Sequence, residues 1–265
     1  MKKKYLIISV IFVSIVMFLS LNDTSFAQDA FENNIQISKR YDGQRGYGSS
    51  GICDCGKYLK DRYKGKITEV CGKSLDVLHD LQSDFAQNER EGNCALVSVT
   101  KLVNYYLING DIEIKDNSVE EIYQTVKKIA VNKYGYAGNG IKALYMKPLI
   151  EDVFKYYDYK VEVKFNTLTL DFNEQVKKEI DNNRPIILIN TGIFGGYYGA
   201  HALPIRGYKV YNVSKRILFF KRNKEYPMIE VTDGWEFSNR YIDYDKFKHE
   251  LQGFASSIIT VVIEK

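Results

Sequence analysis

Histidine is scarce in this chain, three residues in 265, and only four cysteines accompany it. Cys53 and Cys55 of "CDC", together with Cys71, have no histidine or fourth cysteine at zinc spacing, so neither a metal nor another cofactor is expected. Cys53 and Cys55 are too close in sequence to bridge one another without strain. Either can pair with Cys71, which leaves one spare, and the pairing stays open. Internal repeats and low-complexity tracts are absent as well. So is a dominant charge: 37 basic residues stand against 33 acidic ones.

One long apolar run exists, at the start. Met1 to Lys4 is a basic stretch, Tyr5 to Leu21 is apolar, and Ser25-Phe26-Ala27 has the small-x-small form of a cleavage site. Residues 1–27 therefore read as a signal peptide cleaved after Ala27. No cysteine stands there to carry a lipid. The expectation is a secreted protein without a stable membrane anchor, with cell-surface association left open. Removing 1–27 takes away Lys2, Lys3, Lys4 and Asp23, leaving 34 basic and 32 acidic residues, a formal charge of +2. That balance gives no reason to invoke nucleic acid. The 21 tyrosines go with a general abundance of Lys, Asn, Ile and Tyr rather than with a binding surface.

Residues 28–75 are polar and glycine-rich with weak periodicity, and read as a pro-segment or N-terminal extension. From residue 76 to 265 the pattern is orderly. Ala95 to Leu107 places Leu96, Val99, Val103 and Tyr106 on one helical face. Ser118-Val-Glu-Glu121 is a capping box opening a helix to about Tyr134, and "GYAGNG" ends it. A third helix spans Ile141 to about Tyr156, and a short fourth opens at Asp171. Then the period changes. "RPIILIN" (184–190), "HALPIRGY" (201–208), "RILFFK" (216–221), "YPMIEVTDGW" (226–235) and "SSIITVVIEK" (256–265) read as strands. Helices followed by antiparallel strands make an α+β domain of two packed layers.

Cys94 stands where a helix start normally takes Ser, Thr, Asp or Asn. There the unpaired N–H groups and the macrodipole favour a thiolate. His201 follows the glycine-rich "TGIFGGYYGA" and begins a strand, whereas His79 and His249 lie in polar surroundings and are expected at the surface. Asp233 closes a strand in "VTDGW", two residues before Trp235, the single tryptophan. A thiol nucleophile needs a base, and the base needs a group that fixes its tautomer. Cys94, His201 and Asp233 supply those parts in that order. An oxyanion donor is also required, and "FAQNEREGNC" offers Gln87, with Asn88 as the alternative and a substrate-facing residue. Gly195, Gly196, Ala200 and Trp235 would border the cleft.

These stretches resemble the papain-like cysteine peptidases, closest to the bacterial bacteriocin-leader-processing and streptopain-like branches. The resemblance rests on "NCALVSVTKLVNYY", "RPIILINTG", "GAHALPIRGY" and "TDGWEFSNRYIDYDKF" in that order, over about residues 80–265. It implies a papain-like fold, with an N-terminal helical layer carrying the cysteine and a C-terminal antiparallel sheet carrying histidine and aspartate. In the family, five residues separate the oxyanion glutamine from the cysteine; Gln87 has six and Asn88 five. The implied activity is hydrolysis of peptide or protein substrates through a thioester, in a zymogen held by its own pro-segment. A transglutaminase-like acyltransferase shares the order of groups but usually has shorter intervals. A secreted binding or toxin-accessory protein without catalysis is the alternative from outside the enzymes.

Overall fold

The computed structural model describes residues 51–63, 65–80, 82–86, 92–115, 118–167, 171–191, 198, 200–217, 220–235, 238–249 and 256–264. The expected signal peptide lies outside them, as do Gln87, Asn88, Gly195 and Gly196.

In chain order the elements are α1 (Cys55–Tyr63), β1 (Lys66–Ser74), the single turn α2 (Gln82–Phe85), α3 (Cys94–Ile108), α4 (Val119–Tyr134), α5 (Ala143–Tyr156) and β2 (Val161–Thr167). A π-helical turn (Phe172–Lys177) running into α6 (Lys178–Asp181) precedes β3 (Ile186–Thr191), β4 (Ala200–Ile217), β5 (Phe220–Val231), β6 (Arg240–Asp243), α7 (Tyr244–His249) and β7 (Ser256–Ile263). The strands form one seven-stranded sheet in the order β2-β7-β3-β4-β5-β6, with β1 also paired to β4. All pairings are antiparallel. The α+β layering read from the sequence is the layering of the molecule.

β4 is the spine. Its first residues pair with β3, from Thr191↔Ala200 to Ile186↔Ile205, and its remainder pairs with β1, from Ser74↔Gly207 to Lys66↔Ser214. Its other edge pairs with β5 from Ile205 to Ile217. "RILFFK", read above as a separate strand, is instead shared between two paired strands: β4 runs on to Ile217 and β5 starts at Phe220. Residues 51–75, read above as part of an extension, sit inside the same architecture. Ile52, Cys55 and Leu59 are buried in the core, and β1 occupies a sheet position. Their polarity has a physical reason, since β1 is exposed along most of its length and needs few apolar residues.

The helical layer follows the sequence pattern with one difference. The capping box of α4 is formed: Ser118 Oγ accepts from Glu121 N at 3.2 Å and Glu121 Oε2 from Ser118 N at 3.0 Å. α3, by contrast, is buried all round from Ala95 to Tyr106, not on one face. It lies between β4, met by Ser98 Oγ donating to Ala202 O at 3.0 Å, and the other helices. A helix enclosed on all sides must bury polar residues too, and Ser98, Thr100, Lys101 and Asn104 are buried with it. The four cysteines are free thiols; Cys55 is buried in α1 while Cys71 is exposed on β1, and no bridge joins them.

Candidate active site

Cys94 is the first residue of α3, as its setting in the sequence implies. The preceding Asn93 occupies the cap position but makes no side-chain cap. Its carboxamide is used elsewhere: Nδ2 donates to Gln82 O at 2.9 Å. The N–H groups at the helix start are left for the thiol, which is in contact with its own N–H and that of Ala95. The Cys94 sulfur also meets the main-chain N–H of Ala202, the residue after His201. Helix start and strand start therefore touch at Cys94 and Ala202, the neighbour of His201.

His201 is 5% exposed near the start of β4. Its Nε2 lies 2.7 Å from the main-chain carbonyl of Asp233. A carbonyl only accepts, so in the neutral ring Nε2 carries the proton and Nδ1 holds the basic lone pair. The ring is held face-on as well. Trp235 stacks on it with centroids 4.4 Å apart and planes at 24°, and Tyr198 lies 5.9 Å away at the same tilt. Tyr198 and Trp235 meet at 5.5 Å, so three aromatic groups form one packed unit.

Asp233 follows the end of β5, where Thr232 N still donates to Pro204 O at 3.1 Å. Sequence reasoning expected its carboxylate on the imidazole; the contact is made by its main-chain carbonyl. Carboxylate Oδ1 accepts the N–H of Trp235 at 2.9 Å. Asp233 thus orients the ring by its backbone and holds the stacking Trp235 in place by its side chain.

The glutamine that reaches this point is Gln82, which sequence reasoning missed. Its Nε2 lies 3.4 Å from Asp233 O and 3.3 Å from His201 Nε2. Both nitrogens are donors converging on one carbonyl, so the 3.3 Å separation is that of two groups sharing an acceptor. Gln82 is pinned by its main chain, its N–H donating to Gly234 O at 2.8 Å and its carbonyl accepting from Asn93. Gly234 has φ +74°, and a Cβ there would stand 3.0 Å from Gln82 Cγ, so this approach needs glycine. A search for glutamine at five or six residues before the cysteine could not find Gln82; its neighbours "LQSD" carry no signal of their own. Ala200 opens β4 opposite Thr191, at the edge of the same site.

Burial sets the resting charges. Desolvation pushes the Cys94 thiol up from its ordinary range, against its main-chain N–H contacts. Desolvation lowers His201 to about 4, with Lys101 adding to the effect and the Asp233 carbonyl opposing it. Desolvation raises Asp233 to about 6. Both shifts favour the uncharged forms, a thiol at Cys94 and a neutral imidazole at His201. His79, expected at the surface, is half-buried against the Arg206 guanidinium. Among the described residues no group of three or more His, Cys, Asp or Glu could hold a metal ion.

Residues 74–250 match the family model described as Peptidase_C39 like family. The chain belongs to this family. Membership agrees with the cysteine-peptidase resemblance drawn from the sequence, and the match spans every group of the site above. A crystal structure of the Pseudomonas avirulence protein AvrPphB is similar at 10% identity and a TM-score of 0.28, over 69% of this chain and 99% of that one. No curated protein matches.

Proposed function

We propose that the chain is a secreted cysteine peptidase with Cys94 as nucleophile and His201 as base. The observation that carries this reading is the 2.7 Å approach of His201 Nε2 to Asp233 O, because a carbonyl acceptor there requires the Nε2–H tautomer. With Nε2–H committed to Asp233 O, Nδ1 is the nitrogen left to take the thiol proton. In the first step the Cys94 Sγ–H proton passes to Nδ1 as the sulfur bonds to the substrate carbonyl carbon. The carbonyl π electrons move onto oxygen, and the oxyanion accepts from Gln82 Nε2–H and the Cys94 main-chain N–H. Collapse breaks the C–N bond, and the imidazolium gives its proton to the departing amine. A water then attacks the thioester while Nδ1 takes its proton. The imidazolium returns that proton to sulfur as the acid product leaves. Doing this from a neutral pair fits the resting charges above, because the proton moves as the bond forms.

Gln82 replaces Gln87 and Asn88 as the oxyanion donor in this reading. Residues 1–27 serve as the export signal and the chain between them and the folded domain as the pro-segment, so the substrate-facing site would open after export. A thiol-directed electrophilic probe tests the nucleophile, and a peptide library tests the reaction. Labelling should map to Cys94, and Cys94→Ala should lose cleavage by a factor on the order of a million while keeping its melting temperature. Retention of a tenth of wild-type cleavage would remove Cys94 from the mechanism. Amine incorporation without cleavage would transfer the chemistry to an acyltransferase.

A further inference from the structure

Lys101 is a buried charged group beside the site that this mechanism does not use. It lies on α3, roughly two turns beyond Cys94. It is 1% exposed, among the largest fully buried side chains, and its Nζ has no hydrogen-bond partner among the described residues. A lysine is almost never buried in this way unless charges face it.

Such charges are present, and their placement is informative. Asp80, Asp233, Asp84 and Arg206 are the groups whose charges act on Lys101. Asp80 and Asp84 lie two residues either side of Gln82, and Asp233 adjoins Gly234, whose carbonyl holds the Gln82 N–H. Arg206 comes from β4 and meets His79; His79 and His201 in turn feel the Lys101 charge. Asn93, which holds the Gln82 carbonyl, is the cap residue of the helix that carries Lys101. The three carboxylates about this ammonium thus belong to the two short segments that deliver Gln82 and orient His201.

We propose that Lys101 is a positioning residue. Its buried ammonium, set among the charges of Asp80, Asp84 and Asp233, holds the Gln82 segment and the Asp233 turn toward the helix bearing Cys94. The inference rests on the reading of His201 as the base. A cation near an imidazole disfavours the imidazolium, so the same charge that ties down the carboxylates sharpens the ring as a proton acceptor. Burial lowers Lys101 itself to about 8, so the ammonium is present at neutral pH and is lost above that.

The test is the titration of His201 in the untagged full chain, followed by NMR of the ring carbon-bound protons. Three histidines make three signals, and His201→Gln identifies the one that matters. In Lys101→Met the His201 midpoint should rise by about half a pH unit or more, as expected for removing a charge at partly screened range. Lys101→Arg should restore the wild-type midpoint. Asp84→Asn, at an exposed position, should move it the other way, because the ammonium is then less compensated. Asp84→Asn also serves if Lys101→Met does not fold. A His201 midpoint unmoved in a folded Lys101→Met, or in Asp84→Asn, overturns the proposal. The titration uses no substrate, so a chain that cleaves nothing would sink the peptidase reading without deciding this one.

Discussion

The two sides of the site are held by different physics. On one side stands α3, enclosed from Ala95 to Tyr106 and kept in place mainly by apolar packing along that span. On the other is the strap from residue 75 to 86, which has little regular structure and is tied at points. Arg206 Nε donates to Leu75 O at 2.9 Å, Leu75 N to Arg206 O at 2.8 Å, Gln82 N to Gly234 O at 2.8 Å, and Asn93 Nδ2 to Gln82 O at 2.9 Å. Ser74 Oγ adds a bond to buried Glu230 at the start of the strap. The nucleophile sits on the packed side and the proposed oxyanion donor on the tied side. Packing is tolerant and collective, whereas point ties are local and directional. Substitutions on α3 should therefore be read out as stability, and those on the strap as turnover.

The largest expected effect tests the packed side. Leu102→Ala removes a fully enclosed side chain from α3 and should cost about 2–5 kcal/mol of unfolding free energy. Turnover per folded molecule should stay within a few-fold of wild type, measured by denaturant titration beside probe labelling. Gln82→Ala should behave in the opposite way. Loss of one oxyanion donor costs about 100- to 1000-fold in turnover, with little change in melting temperature because the side chain is only half-buried. Gln87→Ala should leave turnover near wild type. A large loss at Gln87 with none at Gln82 would return the oxyanion role to the sequence-based choice.

The same contrast explains what could be read from the sequence. α3, α4 and α5 were legible because packed helices write their period into the chain, and Ser118 and Glu121 advertise their cap. The positions of Cys94, His201 and Asp233 were legible because each stands at the end of a regular element. β1 was not, since its exposed residues have no apolar alternation. Gln82 was not, because a segment fixed by main-chain bonds leaves no periodic trace in its side chains. The role of the Asp233 main-chain carbonyl was hidden for the same reason: sequence names side chains, and here the backbone meets the ring.

Gly234→Ala sharpens the comparison at the junction of the two sides. The new Cβ would meet Gln82 Cγ at 3.0 Å and Nε2 at 3.1 Å in a residue at φ +74°. Strain of this kind costs about 1–3 kcal/mol, and relief comes most readily by displacing the tied strap. Turnover should fall by more than the stability loss explains. An equal stability loss in Gly234→Ala and in the double variant with Gln82→Ala, which lacks the atoms the new Cβ would meet, would mean that the strain is absorbed elsewhere.

The smallest effect expected is in the acid dependence of stability. His201 is lowered from 6.5 to about 4, so between those values the unfolded chain binds a proton that the native ring refuses. Its contribution therefore falls as pH drops from about 6.5 to 4. Asp233 is raised from 3.8 to about 6, so there the native state holds the extra proton, and its contribution rises over nearly the same interval as pH drops. In the wild-type chain the two slopes oppose one another. His201→Gln removes the first and leaves the second, so its melting temperature relative to wild type should improve between pH 7 and 4. Asp233→Asn removes the second and should lose ground to wild type over the same range. Each kcal/mol corresponds to roughly 2–4 °C in a domain of this size, well within reach of calorimetry. The opposite signs are the decisive feature, because a general loss of packing would lower both variants at every pH.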